Sequence, residues 1–254
     1  MIDTHTHLDG EEYNDDRLLT IERAREAGIT RMYLPAIDVP SCHRILALCE
    51  EHPDYLFPMI GLHPEEVKAD WQEQLSLMRP LLKDAVAVGE VGLDFYWSRE
   101  FEQEQLLAFE EQVRWSVETG LPLMIHCRKG QHEMVRILRK YEKDLPGGVF
   151  HCFTGNAIEA RELLTFERFV LGIGGVLTFK KSNLPDTLRE AVPLNRIVLE
   201  TDAPYMAPVP KRGTRNESAF VPYIAEKLAE VYGVSLSEVD EVTTATALRV
   251  LSAQ

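Results

Sequence analysis

With 254 residues, 45% of them hydrophobic, the chain can bury a large core, and α/β barrels of this size are commonly single domains. A net charge of −14 excludes a protein that grips nucleic acid through a broad basic surface, although bound cations add local positive charge that the count omits. Nothing in the sequence resembles a signal peptide and no apolar run reaches the ~18 residues of a membrane span, so a cytoplasmic address is expected. Cys42, Cys49, Cys127 and Cys152 lack CxxC spacing and read as reduced thiols.

The first predicted strand, Ile2–His7, carries Asp3-Thr4-His5-Thr6-His7. Side chains alternate along a strand, so His5 and His7 face one way while Thr4 and Thr6 face the other. Two imidazoles converging from a strand suit a divalent transition metal such as Zn²⁺. A solvated polar N-terminus that carries two histidines is the plainer alternative. A helix over Asp16–Ala27, stopped at Gly28, leads to a strand at Arg31–Ile37. A helix over Ser41–Glu51 then leads to Leu56–His63, which ends in Gly61-Leu62-His63-Pro64. The fourth strand, Ala85–Leu93, runs into Gly89-Glu90-Val91-Gly92-Leu93-Asp94. Glu100–Thr119 reads as a helix stopped at Gly120, before a strand at Leu121–Cys127 that contains Ile125-His126-Cys127-Arg128. The helix Gln131–Lys143 precedes Gly148–Phe153, with His151-Cys152-Phe153-Thr154-Gly155. Strands Phe169–Gly175 and Arg196–Asp202 follow, the latter bearing Glu200-Thr201-Asp202-Ala203-Pro204. Ser235–Leu251 reads as a helix added after the last strand.

The strand candidates are rich in Val, Ile, Leu, Phe and Met, the pattern of strands buried on both faces. Their alternation with helices predicts a closed parallel (β/α)8 TIM barrel, one domain over residues 1–254, with an extra C-terminal helix. A doubly wound open sheet is the competing architecture. Polar residues gather near the C-terminal strand ends, where such barrels build their sites. His5, His7, His63, Glu90, Asp94, His126, Arg128, His151, Glu200 and Asp202 all fall there. A lone His or Glu in an apolar strand is ordinarily a hydrogen-bonded core residue. Ionisable groups from this many strands converging on one rim would repel or stay undersolvated without a cation to gather them, which points to a metal cluster.

In order and in combination, these motifs resemble those of the TatD-type metal-dependent hydrolases, within the amidohydrolase-like barrels, over nearly the whole chain. The resemblance implies an eight-stranded barrel, a dinuclear metal site and hydrolysis, usually of DNA; some relatives are credited with D-aminoacyl-tRNA deacylation. It also implies that His5, His7 and Asp202 hold one ion, that His126 and His151 hold the other, and that Glu90 bridges them. A carboxylate has two oxygens and spans ions about 3.5–4 Å apart, whereas an imidazole offers one nitrogen. His63 reads as a residue beside the metals or facing substrate, or else as one that structures its turn. Lys129, Ser218 in Arg215-Asn216-Glu217-Ser218, and Thr246 in Thr243-Thr244-Ala245-Thr246 depart from the family pattern without touching a presumed ligand.

Two basic clusters stand out against the acidic chain: Lys180 and Lys181 after the seventh strand, and Lys211, Arg212 and Arg215 after the eighth. With Arg128, they are candidates to bind phosphate; the alternative is ordinary solvated loop charge. Phe95, Tyr96 and Trp97 either stack on an unpaired base or cap the barrel as core. The leading reading is a phosphodiesterase or deoxyribonuclease acting on nucleic acid, with two divalent ions (Zn, Ni, Mn or Mg), Glu90 tying them together and Asp202 accepting a proton from the attacking water. An ester or amide hydrolase such as a D-aminoacyl-tRNA deacylase, and a metal-binding scaffold without turnover, are the other classes. A monomer without membrane attachment is expected.

Overall fold

The structure is a computed structural model that describes residues 1–251. Its strands are β1 (Ile2–Asp3), β2 (Arg31–Pro35), β3 (Leu56–Ile60), β4 (Ala87–Asp94), β5 (Leu123–Arg128), β6 (Gly148–Phe150), β7 (Phe169–Ile173) and β8 (Ile197–Leu199). They form one parallel sheet in sequential order. The sheet closes through backbone bonds just past the strand ends. Thr4 N–H donates to the Leu199 carbonyl at 3.0 Å, Asp202 N–H to His5 at 2.9 Å, and His7 N–H to Ala203 at 2.8 Å. The open-sheet alternative is thereby excluded, and the fold is a TIM barrel.

The helices are α1 (Arg17–Glu26), α2 (Val39–Glu51), α3 (Trp71–Met78), α4 (Glu102–Thr119), α5 (Gln131–Tyr141), α6 (Ala157–Leu164), α7 (Leu184–Ala191), α8 (Val221–Tyr232) and α9 (Leu236–Leu251). Local chemistry sets several of their ends. Asp38 and Ser41 exchange side-chain and backbone bonds at the start of α2, and Asn156 and Glu159 do the same at α6. Gly120 ends α4 at φ +72°, a left-handed conformation that glycine adopts without steric penalty. Among the described residues, no helix is long and apolar enough to cross a membrane.

Two apolar cores separate barrel wall from barrel interior. The larger lies between sheet and helices. The smaller takes one residue from each strand (Ile2, Tyr33, Met59, Ala87, Met124, Val149, Val170 and Val198) and is covered by Ala247 and Leu251 of α9. The added C-terminal helix therefore closes the N-terminal end of the barrel and leaves the other end for polar residues.

That interior layer also reports the facing of each strand. From Met124, Val149 and Val198, steps of two lead to His126, His151, and Glu200 with Asp202, which all point inward. In β4 the same count from Ala87 would send Glu90 outward. A register shift between Val88 and Val91 reverses the facing, so Glu90 turns in while Val88 and Val91 stay in the outer core. In β1, regular pairing stops at Asp3, earlier than the predicted His7. There His5 N–H donates to Asp3 Oδ1 at 3.3 Å, and the turn brings His5 into the interior.

Candidate metal centre

The site stands on the carboxylate of Glu90. Its Oε2 lies 3.1 Å from His5 Nε2 and 3.5 Å from His7 Nε2. Its Oε1 lies 3.1 Å from His126 Nδ1, 3.4 Å from His63 Nε2 and 3.6 Å from His151 Nε2. One oxygen thus serves the two histidines just past β1, and the other serves His126 of β5 with His63 and His151, which lie just past β3 and β6. Asp202 Oδ1 closes the cluster at 3.7 Å from His5, 3.6 Å from His7 and 3.8 Å from His151. Asp202 sits at φ +55°, an unusual conformation for a non-glycine residue and a form of backbone strain that clusters at functional sites.

The far nitrogens of two histidines face carboxylates from within the barrel. His126 Nε2 is 2.9 Å from Asp94 Oδ2, and His151 Nδ1 is 3.1 Å from Glu200 Oε1. Each ring therefore has one nitrogen aimed at Glu90 and the other beside an acid, the arrangement that orients metal-binding imidazoles. Glu200, fully buried, also accepts the Cys152 N–H at 2.6 Å. It fits only because position 172 is glycine: a Cβ there would lie 2.1 Å from Glu200 Oε2. His63 differs. Its Nδ1 accepts the Glu65 N–H at 3.2 Å, so the neutral ring carries its proton on Nε2, the atom facing Glu90. A protonated nitrogen is a hydrogen-bond donor rather than a ligand.

The electrostatics of the cluster favour positive charge among its carboxylates. Burial opposes ionisation of Glu90, yet His5, His63 and His151 hold it well below the ordinary carboxylate range. Asp202 is likewise lowered against burial, chiefly by His151 and His7. His126, despite burial, is pushed up to about 9 by its bonds to Asp94 and Glu90. His151 is pushed up to about 10 by Glu200, Glu90 and Asp202. His5 Nε2 and His7 Nε2 stand 3.2 Å apart, which is favourable only with a proton or a metal ion between two such nitrogens. Among the described residues, His5 with His151 and Asp202, and His5 with His7 and Glu90, form overlapping sets whose possible ligand atoms lie within 4.8 Å of one another; Glu90 and His126 make a third such set with His63, whose part in it is that of a hydrogen-bond donor. Imidazole mixed with carboxylate suits borderline divalent ions. Burial drives the Cys152 thiol well above its ordinary value, so it is no thiolate nucleophile.

His5, His7, Glu90, His126, His151, Asp202 and His63 are thus brought together. The cations occupy other positions. Arg128 lies over the Tyr96 ring, its Cζ 3.6 Å from the centroid. Lys180 and Lys181 are exposed. Arg212 covers Phe179 at 4.4 Å and Lys211 faces Phe220 at 5.4 Å. Val209 N–H donates to Thr178 Oγ1 at 2.8 Å, which ties the loops after β7 and β8 together. Arg215 departs from the expectation of a free phosphate ligand. Its guanidinium binds Asp16 at 2.7 and 2.8 Å and lies over Tyr13, because a carboxylate just ahead of α1 stands beside it. Asp94 and Asp3 received no role from the sequence. For Asp94 a signal existed, since it shares the face of Glu90 four residues on. Asp3 had none: its carboxylate accepts from Thr201 Oγ1 at 2.7 Å and Thr201 N–H at 3.0 Å, and so clips β1 to the chain beyond β8.

The family model "TatD related DNase" matches residues 2–252. The uncharacterized metal-dependent hydrolase YabD of Bacillus subtilis (strain 168) is 36% identical over 251 residues, covering 98% of each chain. The 3'-5' ssDNA/RNA exonuclease TatD of Erwinia amylovora is 34% identical over 259 residues, covering 98% of this chain and 97% of that one. The crystal structure of YjjV, a TatD homologue from Escherichia coli K12, superposes with a TM-score of 0.92 at 26% identity, covering 100% of this chain and 98% of that one.

Proposed function

The chain belongs to the TatD-related DNase family of metal-dependent hydrolases, and we propose that it removes nucleotides from the ends of single-stranded nucleic acid, using two divalent ions held by His5, His7, Glu90, His126, His151 and Asp202. The observation that carries this reading is the divided carboxylate of Glu90, each oxygen turned to a different group of histidines. His5, His7 and Asp202 would hold one ion and His126 and His151 the other. Relatives named as exonucleases of single-stranded DNA and RNA support the substrate class.

Bound divalent cations supply Lewis acidity, which draws charge from a phosphoryl oxygen and makes water easier to deprotonate. The protein's own groups do the rest. Glu90, 2% exposed and engaged at both oxygens, is fully occupied in holding the cluster. Asp202 is ionised and reaches solvent, so it takes the proton from the attacking water. Asp94 and Glu200 keep His126 and His151 turned toward Glu90. His63 presents an N–H to the same space and is placed to donate to a phosphoryl oxygen. Lys180, Lys181, Lys211, Arg212 and Arg128 would receive the backbone phosphates. We read residues 1–254 as one catalytic domain, and the cysteines, all free thiols, as suited to a reducing cytoplasm.

The test presents metal-loaded protein with a short single-stranded oligonucleotide, the same strand in a duplex, and a simple D-aminoacyl ester. Stepwise shortening of the single strand, with the ester left intact, is expected. Ester hydrolysis without phosphodiester cleavage would overturn the reading.

A further inference from the structure

We infer that Tyr96, Trp97 and Arg128 form a stacking subsite for an unpaired nucleobase beside the metal cluster, a subsite that selects single strands; this rests on the nuclease reading above. The rim segment after β4 carries three consecutive aromatics that the fold treats differently. Phe95 is 6% exposed and packs against Gly130, where a Cβ would come within 3.2 Å of its ring. Tyr96 and Trp97 are 50% and 67% exposed and meet edge to face at 4.8 Å. The first is core. The other two hold large rings largely in water at the mouth of a polar site, Tyr96 with one face under Arg128 and Trp97 the more open of the pair.

Arg128 makes the pair specific for nucleotides. Its guanidinium covers Tyr96 at 3.6 Å and lies 5.3 Å from the Trp97 centroid. Among the described residues it has no carboxylate partner, so its N–H edge stays free for phosphate while its face is stacked. A cation and an open indole in one patch match the two parts of a nucleotide, anionic phosphate and flat base. An acidic or a purely apolar partner would use only half of it.

The patch is also registered to the reacting end of the barrel. Tyr96 N–H donates to Asp94 Oδ1 at 2.9 Å, and the other oxygen of that carboxylate lies 2.9 Å from His126 Nε2. Arg128 follows His126 by two residues on β5. One carboxylate therefore fixes both the aromatic loop and a candidate ligand, so a base seated on Trp97 sets its phosphate relative to the cluster. In a duplex both faces of an internal base are already stacked on neighbours, which leaves none for the indole.

The experiment reads binding alone. Protein kept metal-free by chelator is titrated into a fluorescein-labelled single-stranded oligodeoxyadenylate and into an abasic strand of equal length, with anisotropy as the signal. Trp97→Leu is expected to bind the intact strand about tenfold more weakly, with an unchanged salt slope, because stacking is uncharged. Arg128→Gln should also bind more weakly and flatten the slope by about 0.7, one phosphate contact on a single strand. Removing the bases should weaken the wild type more than Trp97→Leu, by the same factor that separates the two proteins on the intact strand. Equal losses in both proteins, or a Trp97→Leu variant that binds as the wild type does, would overturn the subsite. Failure of the nuclease reading shows elsewhere, as metal-loaded wild type that cleaves no phosphodiester.

Discussion

Glu90 and Asp202 are both carboxylates among histidines, the first buried and the second partly open to solvent, and their surroundings give them different work. Glu90 has neighbours at both oxygens, so Glu90→Gln removes a charge that two groups of histidines share. Asp202 stands at one side of the cluster, and Asn keeps an oxygen there while losing the capacity to take a proton. Metal analysis after gentle purification should show Glu90→Gln depleted and Asp202→Asn largely loaded. Turnover of Asp202→Asn should nonetheless fall about 10²–10⁴-fold, the usual size of a general-base contribution. A loaded Asp202→Asn enzyme with wild-type kcat would return proton transfer to another group.

At the scale of elements, α1 is fastened to the chain beyond β8 by a charge network. Asp16, just ahead of α1, binds Arg215 at 2.7 Å and Arg23 at 3.1 Å, and Arg23 binds Glu217 at 2.6 Å. The sequence placed Arg215 among the phosphate ligands because a basic residue on a rim loop looks the same whether its partner is substrate or helix. The Arg215 hydrogen bond, with Arg23 behind it, holds the Asp16 carboxyl below its ordinary 3.8. The sign follows: the folded chain binds this proton less readily than the unfolded one, so the stabilisation is complete above 3.8 and drains away as pH falls beneath it. Asp16 is partly exposed, which limits the contribution to about 1 kcal/mol. Asp16→Asn should lower Tm by about 2–4 °C at neutral pH, and the gap should close in acid. A gap independent of pH would remove the network from the stability of the barrel.

For the whole molecule, the notable contrast is a net charge of −14 beside rim cations without ion-pair partners. Among the described residues, none of Arg128, Lys180, Lys181, Lys211 and Arg212 lies within ion-pair distance of a carboxylate, while many basic residues on the outer helices do. Replacing Lys180, Lys181, Lys211 and Arg212 with Gln should raise KM for an oligonucleotide and leave kcat nearly unchanged, since phosphate contacts outside the cluster persist from ground state to transition state. Binding should also lose salt dependence, by up to about 0.7 in slope for each contact removed. Equal slopes for wild type and variant would make them ordinary solvated charges.

Hydrophobic patterning determined the eight strands and the helices α1, α2, α4, α5 and α9, because strands buried on both faces and long amphipathic helices leave local patterns; α3, α6, α7 and α8 were not singled out in the sequence. It carried the added helix at Leu236–Leu251 and the gathering of His, Glu and Asp at strand ends as well. Those signals are local, and each is complete within a few residues. The facing of Glu90 is different in kind. Counting by twos from Ala87 sends it outward, and only the register shift against β5 turns it into the barrel. His5 enters the interior because pairing stops at Asp3, whose carboxylate reaches across to Thr201, 198 residues away. The partners of Asp94 and Glu200, the stacking of Arg128 and the capture of Arg215 by Asp16 depend likewise on contacts between distant segments. Spacing along one strand cannot encode such contacts; they exist only once the barrel has closed.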